Sequence, residues 1–341
     1  MTDCSSREQV RRTIHFQGPN RVPSKAHDLA PSVYDRYGRD VEVLFRRYPT
    51  DILSLPYEPA RGWKPSQPGE DEWGCVWESR DDTVGQVSVR PLADWTALAS
   101  YQAPDPHAPG RLDAALRVRM QLQHIYCHGK LGFALFERCH FLRGYAELLQ
   151  DLILERERVE KLADRVQQFN LAIIDRYAQA PLGWKVDGIY FTDDWGTQEG
   201  LMIRPQMWRE IFKPRYAAMF RRCHEHELDV IYHSCGNIMD IIPDLIEIGV
   251  DVLHPVQPGP LDLKEVSRRF RGQACFMGGI DTRGVLRDGS PQQVAERVRW
   301  CIEHLGTPRG GYILSPSTTI LAEAPLENLR AMLQAAAEYG Y

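Results

Sequence analysis

From about residue 110 onward the chain alternates short apolar segments with longer amphipathic ones. The short segments are rich in β-branched and aromatic residues, and the longer ones carry polar faces at helical spacing. The predicted strands are Leu131–Phe136, Gly188–Thr192, Asp229–Tyr232, Val250–Leu253, Ala274–Met277 and Gly311–Leu314. The predicted helices are Tyr145–Asn170, Pro205–His226, Ile238–Ile248, Leu261–Phe270, Pro291–Leu305 and Pro325–Tyr341. Buried strands that alternate with helices predict βαβ units and a parallel sheet.

Polar side chains directly follow nearly every predicted strand. In chain order the segments after the strands are ERCH, DDWG, HSCG, HPVQ, GGID and SPSTT. In a closed barrel the carboxyl ends of the strands form one rim, where such enzymes place their chemistry. A doubly wound open sheet also binds ligands beyond its strand ends, but it usually carries a Gly-rich phosphate turn that this sequence lacks. We therefore predict an α/β chain that forms a (β/α)8 TIM barrel.

Residues 1–95 differ from the rest because they are rich in Pro, Gly and aromatic residues and lack sustained periodicity. This composition predicts an N-terminal extension, 1–95, that packs on a barrel formed by 96–341, with one structural domain overall. The length of 341 residues falls within the roughly 200 to over 400 residues that barrel enzymes span. Trp77 is a candidate from this extension for lining a substrate pocket.

Charge and composition exclude several classes of partner. The 41 basic and 46 acidic residues are interspersed, with a net charge of −5, so we expect no nucleic acid partner. No stretch approaches the roughly 18 consecutive apolar residues of a membrane span, and the N-terminus lacks the apolar core of a signal peptide. We therefore predict a cytoplasmic protein without membrane contact. The eight cysteines lie far apart, which predicts free thiols.

His233 and Cys235 lie two residues apart at the end of a predicted strand. Side chains at i and i+2 of an extended chain project to the same side, and imidazole and thiolate both suit zinc. A catalytic zinc needs at least three protein ligands and an open position, and local sequence shows two. In the alternative interpretation, Cys235 packs and His233 hydrogen-bonds a substrate or a rim carboxylate.

Asp193 and Asp194 are adjacent carboxylates at the next candidate position on the rim. Neighbouring residues of an extended chain point in opposite directions, so we expect one of them to face the rim centre. That carboxylate could act as a general acid or base, orient His233, or bind a cationic substrate. The other is expected to cap the helix that follows or to pair with an arginine. Further candidate substrate-binding residues on the rim are Glu137, Trp195, His254, Gln257, Asp281 and Thr318.

Four ordered blocks of the sequence resemble the uroporphyrinogen decarboxylase superfamily. They are DGIYFTDDWGTQEGLMIRPQMWREIFKPRY, VIYHSCGNIMDIIPDLIEIGVDVLHPVQP, CFMGGIDTRGVL and GGYILSPSTTI. The resemblance covers about residues 110–341 and implies a TIM barrel. True uroporphyrinogen decarboxylases carry a segment similar to MRQAGRYLPEY, whose arginines bind porphyrinogen carboxylates. This chain has NRVPSKAHDLAPSVYDRYGRD there and lacks the paired arginines, which disfavours tetrapyrrole decarboxylation.

The corrinoid-dependent methyltransferase branch of that superfamily is the closer match. Its zinc site resembles His-x-Cys followed far downstream by a second Cys, and His233-Ser234-Cys235 is similar to the first part. In the second part this chain has GGYILSPST, so Thr318 stands at the expected ligand position. The resemblance therefore implies that another rim group, such as Glu137, Asp194 or His254, completes the zinc site, or that the metal has been lost.

The function that the resemblance implies is transfer of a methyl group between a small substrate or acceptor and a corrinoid carried by a partner protein, with zinc assistance. A second hypothesis is a cofactor-free decarboxylase or other lyase acting on a polycarboxylate, with Asp193 or Asp194 working beside Arg138 or Arg283. A third is a non-catalytic protein that binds a corrinoid or tetrapyrrole. The sequence leaves the oligomeric state open, and a homodimer is compatible with it.

Overall fold

The computed structural model describes residues 4–26, 28–60, 67–78, 85–181 and 183–339. The helices are α1 Ser6–Ile14, α2 Pro31–Tyr37, α3 Arg39–Arg47, α4 Asp113–Gln121, α5 Phe136–Arg143, α6 Tyr145–Leu154, α7 Arg156–Ala178, α8 Pro205–Ile211, α9 Lys213–Glu225, α10 Ile242–Glu247, α11 Leu263–Phe270, α12 Val285–Asp288, α13 Pro291–Leu305 and α14 Leu326–Glu338. The strands are β1 Ile52–Pro56, β2 Gly69–Glu70, β3 Val76–Glu78, β4 Gln86–Val89, β5 Tyr126–Leu131, β6 Gly188–Thr192, β7 Asp229–His233, β8 Val252–His254, β9 Cys275–Ile280 and β10 Tyr312–Pro316.

Seven of these strands form one parallel sheet in the order β1, β5, β6, β7, β8, β9, β10. Its two edge strands approach each other through the segment around Ser24. The amide of Lys25 donates to the carbonyl of Leu314 at 2.8 Å, and the amide of Asp51 donates to the carbonyl of Ser24 at 2.9 Å. The sheet is therefore strongly curled, and the predicted parallel α/β fold is confirmed. Closure into an eight-stranded barrel stays a prediction.

The inner face of the curled sheet is filled by a cluster of buried side chains. Its members on the strands are Ile52, Tyr126, Tyr190, Ile231, Val252, Cys275, Met277 and Ile313. Val10 and Ile14 of α1 belong to the same cluster, and α1 packs against β1, β5 and β10. Because the amide of Gly311 donates to Thr13 just before β10 begins, α1 covers the amino ends of the strands. The carboxyl ends of the strands, on the opposite side, therefore remain available for a functional site.

Strands β2, β3 and β4 form a small antiparallel sheet that is tied to this carboxyl end. Asp71, which follows β2, accepts hydrogen bonds from the Trp77 indole at 3.0 Å and from Arg138 of α5 at 2.8 Å. Arg138 also lies 4.9 Å from the centre of the Trp73 ring. The small sheet is thus held by aromatic packing and by buried ion pairs, which include that of Glu72 with Arg111 at 2.7 Å.

The structure corrects the prediction of a strand at Leu131–Phe136. The strand is Tyr126–Leu131, and α5 begins at Phe136. Most side chains of the run LGFALF are buried, which accounts for its apolar composition. Its backbone nevertheless turns, so that amide groups donate hydrogen bonds to Asp193. The structure also places β1 in the main sheet, a strand that sequence periodicity did not indicate.

Other expectations hold more closely. The strand positions from β6 onward match the predicted ones to within a few residues. Two predicted long helices are each divided, the first into α6 and α7 and the second into α8 and α9. The last two residues of the predicted C-terminal helix lie outside the described residues. All eight cysteines are free, as expected. Among the described helices, none combines the length and apolar character needed to cross a bilayer.

Candidate metal and substrate site

Three predicted site residues come together at the carboxyl ends of β6 and β7. The ligand atoms of Asp194, His233 and Cys235 lie within 4.8 Å of one another. Nε2 of His233 is 3.4 Å from the Cys235 sulfur and 3.5 Å from Oδ1 of Asp194. Tetrahedral zinc with bonds of about 2.0 to 2.3 Å separates its ligand atoms by about 3.3 to 3.7 Å. The spacing and the nitrogen, sulfur and oxygen donor set therefore fit a zinc ion.

A direct backbone contact between two glycines sets the position of these ligands. A Cβ on Gly196 would lie 2.5 Å from the backbone of Gly236, and a Cβ on Gly236 would overlap Gly196 in turn. Gly236 also has a φ of +79°, a conformation that side chains rarely adopt. The contact brings the loop after β6 against the loop after β7. As a result the amide of Cys235 donates to Oδ1 of Asp194 at 2.8 Å.

The charges around the cluster also suit a cation. Burial and the nearby Asp194 raise the pKa of the Cys235 thiol. Burial alone would raise the pKa of Asp194, but hydrogen bonds from His233 and Cys235 outweigh it and lower that pKa. A bound cation would offset the repulsion between the carboxylate and a thiolate. The cluster thus has the chemistry of a metal site before any metal binds.

A second layer of side chains orients His233. The hydroxyl of Tyr190 lies 3.0 Å from Nδ1 of His233 and 2.9 Å from Nδ1 of His254. The two Nδ1 atoms are 2.7 Å apart, and the Ser315 hydroxyl lies 3.4 Å from Nε2 of His254. Burial holds the pKa of His254 well below its usual value. These contacts occupy Nδ1 of His233 and leave its Nε2 facing Cys235 and Asp194.

The two adjacent aspartates point in opposite directions, as predicted, but Asp193 caps α5, which precedes it in the chain, and not the helix that follows. Asp194 faces the cluster, whereas Asp193 is fully buried and accepts hydrogen bonds from the amides of Leu135, Phe136 and Glu137 at 2.7 to 2.8 Å. The Tyr216 hydroxyl also donates to Asp193. Burial raises the pKa of Asp193 to about 6. Asp193 therefore caps the start of α5 and fixes the loop that leads to Glu137.

Glu137 lies beside the cluster as a third acidic group. Burial raises its pKa well above the usual range, and the charges of Asp193 and Asp194 raise it further. The charge of Glu137 also contributes to the raised pKa of the Cys235 thiol. A carboxyl group in this environment can hold a proton at a pH where an exposed carboxyl group is ionised.

The remaining predicted residues occupy more varied positions. Gln257 accepts a hydrogen bond from the amide of Gly236 at 3.0 Å and so supports the cluster loop. Asp281 accepts from the amide of Arg283, and Thr318 contacts the Thr282 hydroxyl at 2.9 Å. The Thr318 hydroxyl is thus paired with that of Thr282.

The two candidate tryptophans differ from expectation. Trp77 is 1% exposed and Trp195 is fully buried, and both pack against aromatic rings of the core. The Trp195 indole donates to the Tyr216 hydroxyl at 3.1 Å. Both side chains therefore belong to the core, and their role in lining a substrate pocket stays a prediction.

Sequence reasoning missed several residues of the carboxyl end. Tyr190 and His128 project into the sheet interior, and Lys25 and Lys130 line a cavity of about 410 Å³ beside them. The alternation of side chains along a strand could have placed Tyr190 on the inner face. Lys25 lies in an aperiodic segment, where the sequence carries no such signal.

Comparison with known proteins gives the family and the fold of this chain. The family model described as uroporphyrinogen decarboxylase (URO-D) matches residues 74–339. A methylated-thiol–coenzyme M methyltransferase of Methanosarcina mazei is 26% identical over 137 residues, which cover 40% of this chain. The match spans 34%, about a third, of the length of that relative.

Two solved structures share the fold. A methyltransferase from Methanosarcina mazei superposes with a TM-score of 0.74 at 16% identity, covering 98% of this chain and 99% of its own. A B12-independent methionine synthase from Shewanella sp. W3-18-1, in complex with selenomethionine, gives a TM-score of 0.50 at 13% identity, covering 94% and 93%. Since the family model matches most of the chain, the predicted resemblance is confirmed, and this chain belongs to the uroporphyrinogen decarboxylase family.

Proposed function

We propose that this chain is a methyltransferase that moves a methyl group between a small thiol and a corrinoid carried by a partner protein. The observation that carries the proposal is the cluster of Asp194, His233 and Cys235 at the carboxyl ends of β6 and β7. The proposal draws further support from a relative that is named for a methylated thiol and coenzyme M. A transferase accounts for these findings better than a decarboxylase does.

In this proposal Asp194, His233 and Cys235 hold a zinc ion, which supplies Lewis acidity and lowers the pKa of a bound thiol. Asp194 takes the place of the expected cysteine ligand, because Thr318 occupies the position of that cysteine in this chain. Tyr190 orients the His233 ring through Nδ1. Glu137, whose pKa is raised by burial, would accept the proton that the thiol releases. In methyl transfer to sulfur, a carbon–sulfur bond forms, and the electron pair of the broken carbon–cobalt bond stays with the corrinoid.

We also propose that the sheet around this site closes into a barrel. The segment around Ser24 would act as the eighth strand, because it hydrogen-bonds to β10 and to the residue that precedes β1. A closed barrel would leave its carboxyl mouth as the face that meets a corrinoid-carrying partner.

The alternative of a decarboxylase acting on a polycarboxylate needs cationic anchors. Arg138 is committed to a buried ion pair with Asp71 at 2.8 Å, so it does not offer a free charge to a substrate. A non-catalytic binding protein would not need the preformed set of three ligands. Neither alternative requires three preformed metal ligands, so both account for the cluster less well than methyl transfer does.

The test is transfer of the methyl group of methylcobalamin to 2-mercaptoethanol, followed by corrinoid absorbance. We expect His233→Ala and Cys235→Ser to reduce transfer by more than about 100-fold, since even outer-shell changes cost 10–100-fold. His107→Ala, at an exposed position, is the matched control and should retain activity. Unchanged transfer in the two ligand variants would contradict the proposal, and so would carbon dioxide release from uroporphyrinogen.

A further inference from the structure

The most exposed large apolar side chains of the described residues lie together where α6 meets α7. Ile153 is 71% exposed and Leu154 is 74% exposed, whereas no other large apolar side chain among the described residues exceeds 56%. A single exposed apolar side chain is ordinary on a monomeric protein, but a contiguous apolar surface marks a site of contact with another molecule. The surroundings of this pair therefore decide whether it belongs to an interface.

An apolar groove with a volume of about 790 Å³ lies directly beside the pair, and Ile153 forms part of its lining. Its walls include Leu149 of α6, the segment 201–203 between β6 and α8, and Met207 of α8. Methionine side chains are flexible and can adapt to the shape of an incoming side chain. An exposed apolar pair and an apolar groove thus occupy the same face of the molecule.

This face also carries one free charge of each sign. Arg204 and Asp240 line the groove, both are exposed, and in the described part of the chain neither side chain forms an ion pair. The third charged residue of the groove, Arg156, is already held by Glu160 and Glu210. A surface of mixed sign on a chain with a net charge of −5 does not suit an anionic lipid surface or a nucleic acid. It suits another protein.

The groove is attached to the loop that carries Asp194. The amide of Met202 donates to the carbonyl of Trp195 at 2.9 Å, and Leu201 forms a bridge with Gly196. A protein bound in the groove would therefore hold the segment that follows β6 in place.

We infer that this face binds a second copy of this chain across a two-fold axis. In a two-fold interface both copies present the same surface, so that surface must contain both halves of every contact. This face does, because the Ile153–Leu154 pair of one copy can enter the groove of the other. In the same way, Arg204 of each copy meets Asp240 of the other. The inference goes beyond methyl transfer and does not depend on it.

Sedimentation velocity of the unaltered protein between about 1 and 100 µM tests the inference. We expect a reversible equilibrium between one chain and two. Leu154→Glu should raise the dissociation constant about 30-fold or more, the effect of losing one central interface side chain. Val43→Glu, at a 55% exposed position of α3 outside the groove, is the matched control and should leave the dissociation constant unchanged. A single chain at every concentration would overturn the inference and leave the face to a different protein, and a dimer that tolerates Leu154→Glu would overturn it as well.

An exchange of charges tests the two-fold arrangement. Arg204→Glu should weaken the dimer about tenfold, because it places two carboxylates together in each of the two symmetric contacts. Adding Asp240→Arg to the same chain should restore the dissociation constant of the unaltered protein. A double variant that dimerises no better than Arg204→Glu alone would contradict the arrangement.

Hydrogen exchange of the unaltered protein provides a measurement that needs no variant to fold. The amides of residues 149–156 and 201–207 should exchange more slowly at about 100 µM than at about 1 µM, whereas the amides of α3 should exchange equally at both. Equal exchange in all three segments at both concentrations would refute a second copy at this face.

Discussion

Gly196→Ala should disable the metal site without altering any proposed ligand. The new Cβ would lie 2.5 Å from the backbone nitrogen of Asn237 and from the carbonyl carbon of Gly236. Ordinary contact requires at least 3.4 Å, so the two loops must separate by about 1 Å. Metal sites tolerate deviations of about 0.2 Å in ligand distances. We therefore expect zinc affinity to fall by at least about tenfold and the free energy of unfolding to fall by about 1 to 3 kcal/mol.

Gly200→Ala provides the matched control in the same loop, because a Cβ there meets no atom within 4 Å. Zinc affinity would be measured by competition with a chromophoric chelator, and folding by circular dichroism and thermal melting. Gly200→Ala should match the unaltered protein in both. A Gly196→Ala protein that is folded and binds zinc with full affinity would refute the proposed role of the glycine contact.

Three further predictions follow from contacts near and away from the site. Tyr190→Phe should retain the fold but weaken zinc binding by about 10-fold or more, because it removes the hydroxyl that orients the rim histidines; unchanged chelator competition would count against this. Arg138→Met should lower the free energy of unfolding in urea by about 3 to 5 kcal/mol, because it leaves Asp71 buried without its cation; a loss below 1 kcal/mol would contradict the buried ion pair. The hydrogen bond to Asp229 raises the pKa of His15. The stabilisation by His15 should therefore be complete below its ordinary pKa of about 6.5 and be lost as pH rises through the raised value. The His15 side chain is 37% exposed, so solvent screens this interaction. The difference in unfolding free energy between the unaltered protein and His15→Asn should therefore not exceed about 1 kcal/mol in acid, and it should vanish in alkali. A difference that does not depend on pH would exclude this coupling between protonation and stability.

The strand ends of the second half of the chain were predictable, because each strand there is bounded by turn residues and followed by polar side chains. The first predicted strand was misplaced because LGFALF is as apolar as a buried strand. Its loop conformation depends on the carboxylate of Asp193, which lies far away in sequence. Periodicity alone cannot distinguish a buried strand from an apolar loop that packs into the core.

The candidate site, like the fold, was predictable only in part. The spacing of His233 and Cys235 indicated a metal pair, and Asp194 was among the candidates for a third ligand. Which candidate approaches the pair depends on the contact between Gly196 and Gly236, which only the tertiary structure shows. Tyr190 was overlooked because a tyrosine within an apolar strand is ordinarily a core residue.

The side of the site that bears Lys25 could not be derived from local sequence. Lys25 reaches the carboxyl end because its backbone pairs with Leu314, almost the whole chain away. No periodicity marks that segment, and it was predicted to belong to an extension that packs on the barrel. Long-range pairing of this kind leaves little trace in sequence patterns.

The zinc content of protein purified without chelators tests the central claim most directly. Elemental analysis would compare the unaltered protein with Asp194→Ala and Thr318→Ala. If Asp194 is the third ligand in place of the missing cysteine, the unaltered protein and Thr318→Ala should each contain about one zinc per chain, and Asp194→Ala should contain almost none. Zinc absent from the unaltered protein, or fully retained in Asp194→Ala, would contradict the account.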